Sequence, residues 1–174
     1  IAKKSQSDRV IIVEGYMDMI TIYQAGFKNV AASLGTAFTN DHAMVLKKFV
    51  SDIILVFDSD EAGEKAALRA IPILADGGFR VKVLQVPGGK DPDEFIKSFG
   101  KDKFREVLKA SKSKFEYNMD SILSRYDLRL PQDKIDALGE LTKMVSTVYF
   151  MAEREIYIQN IATVFGVDAK AIKD

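Results

Sequence analysis

Apolar residues fall into four short runs in the first half of the chain, separated by stretches with helical spacing. "RVIIVEG" is an apolar run closed by glycine, the pattern of a buried strand. "YMDMITIYQAG" follows, with Met17, Ile20 and Gln24, or Met19, Ile22 and Tyr23, at helical intervals, and Gly26 suits the position just past a helix end. "NVAAS" predicts a second strand. "TNDHAMVLKKF" predicts a helix with Thr39 as N-cap and acid in its first turn. "DIILVFD" is a third buried strand. "EAGEKAALRAIPILADGG" predicts a long helix with a kink at Pro72 and a stop at Gly77–Gly78. "FRVKVLQV" alternates and predicts a fourth strand. Strands alternating with helices predict an α/β fold: a mostly parallel four-stranded sheet with helices on both faces.

After Gly100 the pattern changes. "DKFREVLKAS", "KSKFEYNMDSILSRY", "QDKIDALGELTKMVSTVYF" and "AEREIYIQNIATVF" all carry helical periodicity, and no strand is predicted there. "DLRLPQ", Asp127 to Gln132, reads as a linker, and "GVDAKAIKD" opens a further helix. The expected organisation is an α/β domain over 1–100 and a small all-α subdomain over 101–174.

Composition narrows the chemistry. The chain has 174 residues, with 25 basic and 25 acidic side chains and a formal net charge of zero. That balance argues against a free-standing nucleic-acid binder driven by charge, though not against local patches of one sign. There is no Cys and a single His, which excludes disulfides and Cys-based zinc sites and disfavours a His-rich metal site. No apolar run reaches membrane length and no signal-peptide pattern is present, so a cytoplasmic location is expected. The opening "IAKKSQSDRV", without Met, reads as a cut from a longer protein.

In an open parallel sheet, ligands collect beyond the carboxyl ends of the strands. Six acids map to that edge. Glu14 ends the first predicted strand, and Asp18 lies one helical turn on. Asp58 and Asp60 follow the third strand in "FDSDEAG". Asp91 and Asp93 follow the fourth in "KDPDEF". Alternate residues of an extended segment face the same way, so Asp58 and Asp60 can point together while Ser59 points away. Clustered carboxylates raise one another's pKa or recruit a cation. Oxygen ligands without Cys or His suit Mg²⁺ or Mn²⁺, and two such ions would serve phosphoryl or nucleotidyl transfer.

Each segment also has a structural reading. Asp60 can cap a helix with Glu61 in its first turn. Asp91 can be an N-cap with Pro92 at N1 and Glu94 closing a capping box. Lys65, Arg69 and Lys90 could contact phosphates or simply form solvated i,i+4 pairs. Neither His42 nor any Tyr has a partner arrangement for nucleophilic catalysis, and no Walker-type or G-x-G-x-x-G loop is present.

"VEGYMD", "ASLGTAFT", "LVFDSDEAGEKAALRA" and "PGGKDPDEF", in that order, resemble the TOPRIM domain of bacterial replicative primases of the DnaG type. The resemblance covers about residues 1–100, and "AEREIYIQNIATVFGVDAKAIK" is similar to the end of the helical subdomain that follows TOPRIM in that family. It implies a DNA-directed RNA polymerase that makes short RNA primers on a single-stranded DNA template from ribonucleoside triphosphates. It implies Mg²⁺ (or Mn²⁺) held by Glu14, Asp58 and Asp60, with Asp91 and Asp93 at the metal site and Asp18 a further candidate. Ser59 stands where the family often has Gly.

The family's zinc-binding domain, the basic first part of its catalytic core and its C-terminal helicase-binding domain are expected to lie outside this stretch, so no zinc is expected within it. On this reading the replicative helicase is met through a C-terminal domain beyond these residues, and the isolated piece is inactive or weakly active. Another TOPRIM enzyme, a topoisomerase or nuclease, and a non-catalytic module whose acids only cap helices remain the alternatives.

Overall fold

The computed structural model describes residues 8–33, 38–88 and 91–173. The "LGTA" string at 34–37, Lys90 and the opening residues 1–7 lie outside the described residues. The chain divides into two compact units, Ile1–Lys114 and Phe115–Asp174.

In the first unit, β1 (Arg9–Val13), α1 (Tyr16–Gln24), β2 (Val30–Ala32), α2 (Asn40–Lys47), β3 (Asp52–Phe57), α3 (Glu61–Asp76), β4 (Arg80–Gln85), α4 (Pro92–Lys109) and β5 (Lys112–Ser113) follow in sequence. The sheet order is β2-β1-β3-β4-β5. The first four strands are parallel, with Ile11 opposite Val30, Val10 opposite Ile53 and Ile53 opposite Val81. β5 joins β4 antiparallel through Lys82–Ser113 and Val83–Lys112. The expected four-stranded sheet thus gains a fifth strand. Two residues are too few to show a period of two, so sequence pattern could not announce it.

The pleat sends alternate residues to opposite faces. On one face Ile11, Val13, Ile54, Val56, Leu84 and Val86 pack with Ile22 of α1 and with Phe95, Ile96 and Phe104 of α4. Residues of the other parity, Ile53, Leu55, Val81 and Val83, are also buried. There α3 packs on β3 and β4 with Ala67, Ala70, Ile71 and Leu74 buried. Helices on both faces explain why these strands read as continuous apolar runs.

The helix ends follow local chemistry. Thr39 caps α2 and accepts from the His42 backbone amide, while His42 Nδ1 accepts from the Thr39 amide in return. The single His therefore serves as a capping partner. α1 ends at Ala25 with Gly26 at φ 105°, and α3 runs through Pro72 to Gly77, with Gly78 at φ 74°. α4 is two helical stretches joined at a kink, where Gly100 adopts the non-helical φ 80° and ψ 169°. Beyond that bend Phe104 is fully buried and meets the Phe27 ring edge-on at 5.2 Å. The segment after Gly100 is thereby part of the sheet-bearing unit. The compact division falls at Lys114–Phe115, where the sequence placed the change of character at Gly100.

The second unit holds α5 (Lys114–Leu123), α6 (Pro131–Ser146), α7 (Met151–Phe165) and α8 (Lys170–Lys173). Its core is Phe115, Ala137, Leu141, Val145, Ile158, Ile161, Ala162, Phe165 and Ile172. Phe115 and Tyr157 stack with centroids 3.7 Å apart and rings 1° from parallel. Gly166, at φ 64°, ends α7 in the left-handed conformation that glycine reaches at least cost.

Candidate functional site

The strand order reverses direction between β1 and β3: from β1 the chain moves to β2 on one side, then crosses to β3 on the other. A crevice forms at such a switch point, outside the carboxyl ends of the strands. Glu14 leaves the end of β1 and Asp58 the end of β3, so these two acids flank it.

Glu14 is half-buried, and its Oε1 is buried without a hydrogen-bond partner. Burial pushes its pKa up, and the charges of Asp58, Asp60 and Asp18 push the same way, against the Asp58 backbone amide. The Asp58 carboxyl is also raised, first by burial, then by Asp91 and Asp60. Asp18 is pushed up to about 6 by burial, with the charges of Asp58, Asp91 and Asp93 adding to it and the Asp93 backbone amide opposing. The raised carboxyls of Glu14, Asp58 and Asp18 thus each feel the charge of other acids among the six.

They are not equivalent. Asp60 caps α3, its Oδ1 accepting from Gly63 N at 2.7 Å. Asp91 caps α4, its Oδ1 accepting from Glu94 N at 2.6 Å, with Pro92 buried at the first helical position. Asp93 is held by Lys97 Nζ at 2.6 Å and by the Thr21 hydroxyl, which together keep its carboxyl below the usual range. Asp18 Oδ1 accepts from the Asp93 backbone amide at 3.2 Å. Among the described residues no three acids stand close enough together, as placed, to hold one ion. Several carboxylate oxygens at this edge are engaged in the caps and in the Asp93 contacts.

The donor set nevertheless suits a hard divalent cation. It offers carboxylate oxygens only, one of them buried and unsatisfied, with repulsion among neighbours that a cation would relieve. Lys65 is paired with Glu61 one turn away in α3, as a solvated i,i+4 pair should be. Arg69 is exposed on the same helix, and Lys90 lies outside the described residues.

Three supporting roles escaped the sequence reading, which does not name Gly63 or Thr21 and takes Ser59 as a residue pointing away. A Cβ on Gly63 would stand within 2.9 Å of the Asp58 backbone N and C and overlap its carbonyl oxygen, so only glycine lets the first turn of α3 pack on the end of β3. The Ser59 hydroxyl donates to the Val86 carbonyl at 2.7 Å, tying the loop between Asp58 and Asp60 to the end of β4. Thr21 binds Asp93 across 72 residues of sequence. Gly63 had a visible signal, as a glycine in the first turn of a helix, where it has low propensity. The two hydroxyls had none.

The chain is similar to known proteins along most of its length. A family described as Toprim-like matches residues 11–96, and one described as the DnaB-helicase binding domain of primase matches residues 115–169. A DNA primase of Clostridium acetobutylicum is 36% identical over 172 residues, which is 99% of this chain and 29% of that protein. The RNA polymerase domain of Mycobacterium tuberculosis primase DnaG, solved with a double-stranded DNA oligomer bearing a 6-nucleotide overhang, superposes with a TM-score of 0.79 at 28% identity. The match covers 96% of this chain and 55% of that one. A DnaG primase catalytic domain bound to ssDNA superposes with a TM-score of 0.75 at 28% identity, covering 97% of this chain and 54% of that one. The chain spans less than a third of the length of the C. acetobutylicum primase.

Proposed function

The chain belongs to the DnaG-type DNA primase family, and from that premise we propose that it is the metal-binding part of a primase catalytic core. The whole protein would join ribonucleotides into short RNA primers on single-stranded DNA during replication. The observation that carries this reading is the Glu14–Asp58 pair at the β1/β3 switch point, with a buried, unpartnered Glu14 oxygen and raised carboxyls on both.

Glu14, Asp58 and Asp60 would hold Mg²⁺ or Mn²⁺, with Asp91 beside them. A divalent ion bound there supplies charge stabilisation to nucleotidyl transfer and a fixed seat for triphosphate oxygens. The chain's own residues do the rest. Gly63 and the Asp60 cap fix where Asp58 and Asp60 emerge from β3. Asp18 and Asp93 join α1 to the start of α4. Burial limits the hydration of Glu14 and Asp58, and a bound cation would relieve the repulsion between them.

The proposal keeps the TOPRIM part to about the first hundred residues, with the following stretch to Lys114 completing the sheet-bearing unit and the helical part starting at Phe115. The family match over 115–169 supports contact with the replicative helicase by the second unit itself, which corrects the expectation that this contact lies outside the stretch. A cytoplasmic place of action fits the family, and among the described residues no helix is long and apolar enough to cross a membrane.

The test is primer synthesis by the whole protein containing this chain. Glu14→Gln and Asp58→Asn should each lower the rate by about two orders of magnitude or more, the scale expected for lost charge stabilisation in a catalytic site. Wild-type rates in both variants would overturn the assignment. The isolated chain should bind Mn²⁺ weakly and make few or no primers.

A further inference from the structure

We propose that Thr21 is a positioning residue, whose hydroxyl, together with Lys97, commits Asp93 to bracing the start of α4 and so keeps Asp91 beside Asp58. The inference rests on the metal-site reading above for its purpose, but not for its geometry.

Asp93 has two carboxylate oxygens, and both are taken. Oδ1 accepts from the Thr21 hydroxyl, and Oδ2 accepts from Lys97 Nζ at 2.6 Å. Its backbone N–H donates to Asp18 Oδ1 at 3.2 Å. Asp18 and Thr21 are three residues apart on α1 and so share a face. That face grips one residue of α4 by both its main chain and its side chain. Lys97, one turn further along α4, neutralises the charge that the grip would otherwise leave among acids. A carboxylate engaged in this way has little left to offer a cation, in contrast to Glu14 with its unpartnered Oε1.

The consequence is a division of labour within "DPD". Asp91 caps α4 with its Oδ1, and its charge acts on Asp58. Pro92 is buried and fixes the backbone between the two acids. Asp93 is the anchor. Two residues of α1 therefore set the place of Asp91, although neither is near it in sequence. A polar residue that orients a ligand through a neighbour typically changes metal affinity by one to two orders of magnitude when lost.

Hydrogen exchange and Mn²⁺ titration on the full chain test this. Thr21→Val keeps the shape and removes the hydroxyl. Amides of Glu94, Phe95 and Ile96 should exchange about five- to tenfold faster, the size of one net hydrogen bond, while those of α3 stay unchanged. Mn²⁺ affinity should fall about tenfold. Thr21→Ser should restore both. In an Asp93→Ala background Thr21→Val should add nothing, because it acts through Asp93.

Unchanged exchange in Thr21→Val, or an equal increment with and without Asp93, overturns the brace. Should Thr21→Val fail to fold, Thr21→Ala read against Thr21→Ser makes the same comparison. Absence of Mn²⁺ binding in the wild type would sink the metal-site reading, while the exchange result would still decide the brace.

Discussion

Gly63 shows how one missing side chain places two functional ones. The Asp60 cap and the close approach of Gly63 to Asp58 fasten the first turn of α3 to the end of β3. Gly63→Ala should cost about 1–3 kcal/mol or more in unfolding free energy, as overpacking of a tight contact does. Denaturant titration checks this, and a neutral result would mean that the turn can move aside. Asp18 offers a second test at the same scale. Its carboxyl rises from an ordinary 3.8 to about 6. The folded state thus holds the proton more tightly than the unfolded one. Stability from this group is full below the unfolded value and is lost as pH rises through about 6. With chelator present, Asp18→Asn should therefore stabilise the protein near pH 7.5 by about 1–2 kcal/mol, after screening of a half-exposed group. It should also flatten the pH dependence between about 4 and 6.5. Thermal melts across that range read both effects. The Asn side chain can still accept the Asp93 amide, so the brace to α4 is kept.

Elements were legible where their pattern was long. Strand runs, the Thr39 cap, the "DPDE" helix start and the glycine stops could all be read because propensity and packing agree there. β5 and the continuation of α4 past Gly100 could not. A two-residue strand exists only because β4 presents an edge to it. Beyond the kink at Gly100, Phe104 fills a buried slot beside Phe27 and Phe95. Gly100→Ala tests the bend. At φ 80° and ψ 169° an alanine would be strained by about 1–3 kcal/mol. We expect a lower unfolding midpoint of that size, with Phe104→Ala costing more, about 3–5 kcal/mol for a lost core aromatic. Equal stability of Gly100→Ala and wild type would show that the backbone relaxes without displacing Phe104.

At the scale of the molecule, acids that repel one another across a switch point store a cost that a cation relieves. Ligand binding to the folded state should raise the melting temperature by linkage, about 2.7 kcal/mol at a hundredfold excess over Kd. Mn²⁺ or Mg²⁺ should therefore stabilise the wild type and have little effect on Asp58→Asn. The gain should shrink as pH falls into the range where the raised Glu14 and Asp58 carboxyls take up protons, because protons compete with the ion for them. A gain independent of pH would place the ion elsewhere.

The sequence by itself determined which residue types were available: carboxylates without Cys, one His, and acids just after three apolar runs. Those are local properties, written in composition and in periods of two and 3.6. Only the tertiary structure decided which acids share an edge as neighbours. Strand order β2-β1-β3-β4 brings Glu14 and Asp58 side by side, and no local pattern encodes strand order. It also decided which carboxylates are already engaged. Thr21 and Asp93 meet through α1 and α4 docking on one sheet face, a contact that exists only once the core beneath it has formed.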